Sequence, residues 1–204
     1  MDFLLTLAVA LAVACWIVKT RLQRQRIAFL AGFLSAYSIE KNIETVTQGY
    51  LRALGEDGPG RREQVWNLLR ANEQELCRQM SQFANDFAAA DPAQTRVSKF
   101  PIWVPFAFAF AGSFDMREAL RVHARGICRA IEGETGASAK DRAFAISAEL
   151  FLMQHTCHWF CRSKSIASAR MLARHRTSYD QLLGAVLPQT RSEYLGLVAP
   201  GKRA

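Results

Sequence analysis

The densest chemistry in the sequence is the octapeptide QHTCHWFC, which places His155, Cys157, His158 and Cys161 within seven consecutive residues. Imidazole and thiolate are the ligands that zinc prefers. On a helix turning ~100° per residue, Cys157, His158 and Cys161 fall within about a third of the circumference, with His155 one step further round. One helix therefore offers two or three ligands, and Cys128 or His123, or Cys77, would have to complete the set. This gives one expectation, a zinc- or haem-binding and redox-sensing bundle, although the spacing matches neither zinc fingers nor the C-x-x-C-H of c-type haem. The competing expectation is packing, with no cofactor. Cysteine is among the most buried residue types, and His155 continues the helical stripe Phe144, Ala148, Phe151.

Glu149 is the one formally charged residue between Ala143 and Cys161. Apolar surroundings would raise its pKa and equip it for proton chemistry, whereas an ion pair with Arg142 or Arg129, or exposure, would not. No glutamate is followed three residues later by histidine, so a di-iron carboxylate bundle is excluded. The H-E-x-x-H, G-x-S-x-G and G-x-x-x-x-G-K signatures are absent as well. The chain thus lacks the common catalytic signatures, and a non-enzymatic role is the expectation.

These residues must be carried by helices. The 204 residues leave room for one ordinary domain, half of them are apolar, and no stretch shows sustained strand-like alternation. Phe29, Phe33, Tyr37, Ile39, Ile43, Val46, Tyr50 and Leu54 follow helical steps, which predicts one helix from the amino terminus to about Leu54, stopped by GEDGPG. A second is expected from about Arg61 to Ala89. Its narrow stripe is Val65, Leu69, Leu76, Met80, Phe83 and Phe87, flanked by charges including Glu73. A third follows Met116, Leu120, Ala124, Ile127 and Ile131, and a fourth region runs from Ser138 to Leu187 with a break around residues 163–168. The aromatic segment from Lys99 to Phe114, with Pro101 and Pro105, reads as a core-plugging loop or as an interfacial segment. The expected fold is all-α: an N-terminal transmembrane anchor with its basic juxtamembrane segment (1–26), a bundle of about four helices (27–187) and a flexible tail (188–204).

The anchor is the uninterrupted apolar run Phe3 to Val18, sixteen residues broken only by Thr6. It is slightly short of the ~20 that a spanning helix usually needs and near the ~17 it tolerates. No basic residue precedes it, which disfavours a signal peptide. Trp16, Lys19, Arg21, Arg24 and Arg26 at its end are suited to the interface and to anionic lipid headgroups. Positive residues stay in the cytoplasm, so the amino end is expected outside and the remaining chain inside a bacterial inner membrane.

Net charge is +8, and it sits at the two ends. Residues 1–36 carry +3, residues from 151 onward carry +6, and the middle is nearly balanced. Arg162, Lys164, Arg170, Arg174 and Arg176 form the second basic concentration, poor in interleaved aromatics, so nucleic acid is a disfavoured partner. Five cysteines are too few for a disulfide scaffold and fit a reducing compartment. The function these features favour is a membrane-anchored scaffold or docking protein, partnered by the membrane, by other proteins and by copies of itself.

Overall fold

Alanine, leucine and valine run without glycine or proline from Asp2 to Ala31, and nothing in that composition interrupts a helix. The computed structural model describes residues 2–105, 107, 111–133 and 137–199, and α1 spans Asp2–Leu34 in one piece. Every residue from Phe3 to Val18 is exposed, and the helix that carries them is long and apolar enough, by length and composition, to cross a membrane. Burial begins only at Gln23 and Leu30, where α1 reaches the rest of the chain.

The predicted continuous helix to Leu54 breaks at residues 35–38. The stripe explains why: the step from Tyr37 to Ile39 is two residues, out of phase with a helix that must keep Phe29 and Phe33 inward. Residues of α3 (Pro59–Ala88) seize the turn, with Gln79 Oε1 accepting from Ser38 N–H at 2.9 Å and Asp86 accepting from the Tyr37 hydroxyl. The chain restarts as α2 (Ile39–Leu54) and returns along α3. Along α3 the buried stripe contains Glu73, at 2 % exposure, which the sequence places on the charged flank. It lies one turn from Leu69 and Leu76, accepts from the Tyr50 hydroxyl at 2.7 Å and lies 3.8 Å from Arg142.

After α4 (Pro92–Thr95) come two three-residue strands that sequence alternation is too short to reveal: β1 (Arg96–Ser98) and β2 (Ser113–Asp115). They pair antiparallel with Val97 opposite Phe114. This closes both ends of the aromatic segment, of which Phe106 and residues 108–110 lie outside the described residues. Residues 134–136 and 200–204 also lie outside them. Four further helices of ten or more residues complete the chain with one short one: α5 (Met116–Glu132), α6 (Ala139–Cys161), α7 (Lys164–His175), α8 (Tyr179–Ala185) and α9 (Pro188–Val198). The fold is all-α. Residues 188–198, expected as a loose tail, are a proline-started helix with Thr190 and Tyr194 fully buried. Glu193 pins it to α5 through Arg125 at 2.6 Å and Arg129 at 2.9 Å.

An aromatic cluster joins α1, α3 and α6: Phe87 meets Phe33 at 5.0 Å, Phe29 at 5.8 Å and Phe160 at 6.3 Å. A second tie is covalent. Cys77 of α3 and Cys128 of α5 form a disulfide with their Cα atoms 5.0 Å apart, and Cys15, Cys157 and Cys161 are free. The bridge closes a 51-residue separation. Reduction, or Cys77→Ser with Cys128→Ser, is expected to lower unfolding free energy by roughly 2–4 kcal/mol. Urea melts of the detergent-solubilised protein with and without dithiothreitol measure this, and unchanged midpoints contradict it.

Candidate functional site

The four candidate ligands of α6 are sent in different directions. His155 is fully buried against α7 and α8, with Nε2 3.0 Å from Ser168 Oγ and its ring 4.7 Å from that of Tyr179. His158 faces the basic side of α7, where burial and the charges of Arg170 and Arg174 lower its pKa to about 4. Cys161 turns toward α1 and lines a cavity with Gln23 and Arg26. Cys157 packs in the core with Sγ 3.6 Å from Met153 Sδ. Burial pushes the Cys157 thiol up and the Cys161 thiol up to about 11, so both stay protonated at neutral pH. Of the proposed helpers, Cys128 is consumed by its disulfide with Cys77, and His123 is fully buried with Nε2 2.9 Å from Thr156 Oγ1. Among the described residues no group of three or more histidine, cysteine, aspartate or glutamate side chains is gathered around one point.

His155 and His123 are neutral for the same reason. Burial depresses both to about 3, so each ring is an uncharged hydrogen-bonding group of the core. Thr156, bonded to His123, also lies 3.1 Å from the Tyr194 hydroxyl, and this knot fastens α5, α6 and α9 together.

Glu149 is the group whose chemistry the sequence signals best. It is fully buried and pairs with neither Arg142 nor Arg129, which go to Glu73 and Glu193. Its Oε1 accepts from Leu187 N–H at 3.0 Å, at the entry to α9. Its Oε2 points at Gly126 of α5, where an added Cβ would come within 2.5 Å of both Oε2 and Thr190 Oγ1. Neither of those two oxygens closes a hydrogen bond of normal geometry. Glycine inside a helix costs about 1 kcal/mol, and here its missing side chain makes the space for a carboxyl group. Burial raises the Glu149 carboxyl to about 7, against the opposing pulls of Leu187 N–H, the Thr190 hydroxyl and Arg129. Gly126 and Thr190 carry no sequence signal beyond a small residue within the apolar stripe of α5.

At the root of α1, Trp16, Arg21 and Arg24 are exposed and Lys19 is half-buried. Arg26 behaves differently. Its Nη1 donates to Phe160 O at 3.0 Å and its Nη2 to Arg96 O at 2.8 Å, with the guanidinium 5.2 Å from the Phe160 ring centroid. It fastens α1 to the bundle instead of facing lipid freely. A cavity of about 140 Å³ opens beside it, walled by Phe100, Trp103 and Trp159, with Arg162 also on its lining. Lys164, in a stretch whose sequence lacks interleaved aromatics, stands over the Trp159 and Tyr179 rings at 5.3 and 4.4 Å. No family model, curated protein or solved structure matches this chain.

The Glu149 environment has a measurable sign. With its pKa raised above the ordinary 4.5, the folded chain holds a proton that the unfolded chain has released between pH ~4.5 and ~7, so this residue lowers stability as pH rises through that window. Glu149→Gln keeps an acceptor for Leu187 N–H and carries no charge. The difference in urea midpoint between Glu149→Gln and the parent is expected to move in favour of the glutamine form from pH 5 to 7.5, and a pH-independent difference contradicts the assignment. Gly126→Ala drives a methyl group into the two oxygens and is expected to cost about 1–3 kcal/mol in the same assay.

Proposed function

We propose that this chain is a single-pass, membrane-anchored docking protein of a bacterial inner membrane, with the amino end outside and a non-catalytic helical bundle in the cytoplasm. The observation that carries the reading is the first half of α1: sixteen consecutive residues from Phe3 to Val18 that the remaining structure leaves entirely exposed. Apolar surface loses about 25 cal/mol per Å² when it stays in water, so a stretch of this size demands a bilayer or a partner. Lys19, Arg21, Arg24 and Arg26 follow it, and the positive-inside rule then sets the orientation.

The docking role rests on the opposite end of the bundle. Phe87 of α3 and Phe160 of α6 meet α1, so Leu68 and Phe144 lie ~28 and ~24 Å further along their helices. There Leu51, Leu68 and Phe144 are 73 %, 73 % and 66 % exposed, and Tyr50 contacts Trp66, which brings the α2 end alongside. The internal hydrogen bonds of His123, His155 and Glu149 give these groups structural work, which favours a non-catalytic bundle.

In this orientation Cys77 and Cys128 face a reducing compartment, where a protein disulfide is uncommon, and they are expected as two thiols in the cell. Orientation and redox state are therefore tested together. With external protease on intact spheroplasts, a carboxyl-terminal tag is expected to survive, and maleimide is expected to label Cys77 and Cys128 on lysis without reductant. Digestion of the tag, with both cysteines silent until reduction, reverses the topology. For docking, the solubilised protein is expected to self-associate or retain a protein partner, and Leu68→Glu with Phe144→Glu is expected to weaken that association roughly 30-fold. A monomer without partner in the parent overturns the docking role.

A further inference from the structure

We propose that the cavity at the root of α1 is a binding site for the headgroup of an anionic phospholipid drawn from the bilayer that α1 enters. The proposal rests on the anchor reading above and adds a specific ligand and a specific set of residues to it. The cavity is bounded by Gln23 and Arg26 of α1, by Phe100 and Trp103 of the segment after β1, and by Trp159 and Arg162 at the end of α6.

Depth comes first. Gln23 lies five residues beyond Val18, or ~7.5 Å along the helix axis, and Arg26 lies ~12 Å beyond it. The headgroup layer adds ~5–7 Å outside the hydrocarbon on each side of a bilayer. When Phe3 to Val18 fills the hydrocarbon, Gln23 therefore stands at the outer edge of the headgroup layer and Arg26 ~5 Å beyond it, so the cavity borders the headgroups from the water side.

Polarity comes second. The Gln23 side chain is 8 % exposed and its Nε2 donor has no partner, which is costly for a buried amide. Arg26 spends Nη1 and Nη2 on carbonyls, leaving three of its five N–H bonds uncommitted by those contacts. Among the described residues, no carboxylate lies within 4.0 Å of Arg26 or of Arg162, in contrast to Arg117, Arg125 and Arg129. Exposed Arg21 and Arg24 add positive charge on α1. An unpartnered amide donor and two guanidinium groups without a carboxylate partner, all on the lining of one cavity, fit a phosphodiester, a group that arginine recognises well.

The walls complete the match. Trp103 and Trp159 give an aromatic lining suited to the glycerol and upper acyl region, and Ile102, 52 % exposed between Pro101 and Pro105, continues that apolar surface outward. A volume of about 140 Å³ equals roughly four to five waters at ~30 Å³ each, enough to admit a phosphodiester. The prolines also bear on the wall, because they keep residues 100–105 out of a regular helix, and the chain there is a series of bends. Its other end is fixed where Pro101 O accepts from Ser165 N–H and its hydroxyl, each at 2.9 Å.

The test uses the full chain in nonionic detergent with Trp16→Phe, so that Trp103 and Trp159 report on the cavity while Trp66 sits at the remote end. Acyl-brominated phosphatidylglycerol is expected to half-quench the fluorescence at about tenfold lower mole fraction than brominated phosphatidylcholine. Arg162→Gln and Gln23→Leu are each expected to remove that preference, and Arg52→Gln, exposed at the remote end of the bundle, to leave it. Arg162 is a surface residue, so its variant tests the site without disturbing the core. Equal quenching by the two lipids in the parent overturns the proposal, as does a preference that survives Arg162→Gln with Gln23→Leu. Inorganic phosphate erasing the preference as effectively as the lipid also overturns it, by making the ligand a free anion. Release of the parent from native membranes by alkaline carbonate overturns the anchor reading itself, whereas retention with no lipid preference overturns this site alone.

Discussion

A helix that is half uncovered and half keyed into a core constrains everything else in this chain. From Phe3 to Val18, α1 has no protein against it. From Gln23 onward the same unbroken helix is locked by Leu30, by the Phe29 and Phe33 rings on Phe87, and by Arg26 on two carbonyls. No hinge separates the halves, since the first break falls at residues 35–38. Whatever surrounds the apolar half therefore fixes how the bundle is presented. The segment after β1 and the start of α7 lie beside the root of α1, and the exposed leucines of α2 and α3 lie at the far end.

Polar groups in the interior serve the packing of helices that have little else to hold them. Glu149 reaches across Gly126 to the entry of α9, Glu193 clamps the outside of that helix, and Tyr194 joins the His123–Thr156 knot on its inside. At the opposite end Glu73 gathers Tyr50 and Arg142. Glu73 and one oxygen of Glu149 are buried acceptors met by donors from other parts of the chain, which is how a buried carboxyl remains tolerable. Burial sets the protonation of the whole group: the histidines are neutral, the free core thiols are protonated, and Glu149 titrates near neutrality.

The helical elements were legible because their stripes are long. Leu76, Met80, Phe83 and Phe87 sit on the buried face of α3 as their spacing demands, and Ser138 caps α6 by accepting from Asp141 N–H. What periodicity cannot carry is tertiary pairing. Ser38 N–H bonds to Gln79 forty-one residues away, and that contact, with a two-residue phase slip, ended α1 where a stripe alone continued it. Three-residue strands contain too little alternation to register, and Pro188 starts α9 although its position suggested an end. Among candidate site residues, Glu149 takes the less common of its expected outcomes, buried and unpaired with Arg142 or Arg129, because α9 closes over it where sequence periodicity shows no partner. The His155–Cys161 cluster was dense in sequence yet is dispersed in space, since one helix points four neighbours toward different partners. Cys77 and Cys128 were individually visible, and only the packing of α3 on α5 makes them a pair.

The central claim is that the exposed half of α1 crosses a bilayer, and depth profiling of that half tests it most directly. Spin labels placed singly from Leu4 to Arg24, in a background without the five native cysteines and reconstituted in liposomes, report oxygen against nickel-chelate accessibility. The account predicts an accessibility ratio that climbs from both ends to a maximum near Val9 to Leu11 on every face of the helix. A ratio that oscillates with the 3.6-residue period, or that stays water-like throughout, would mean that α1 lies along a surface or packs on protein, and would contradict it.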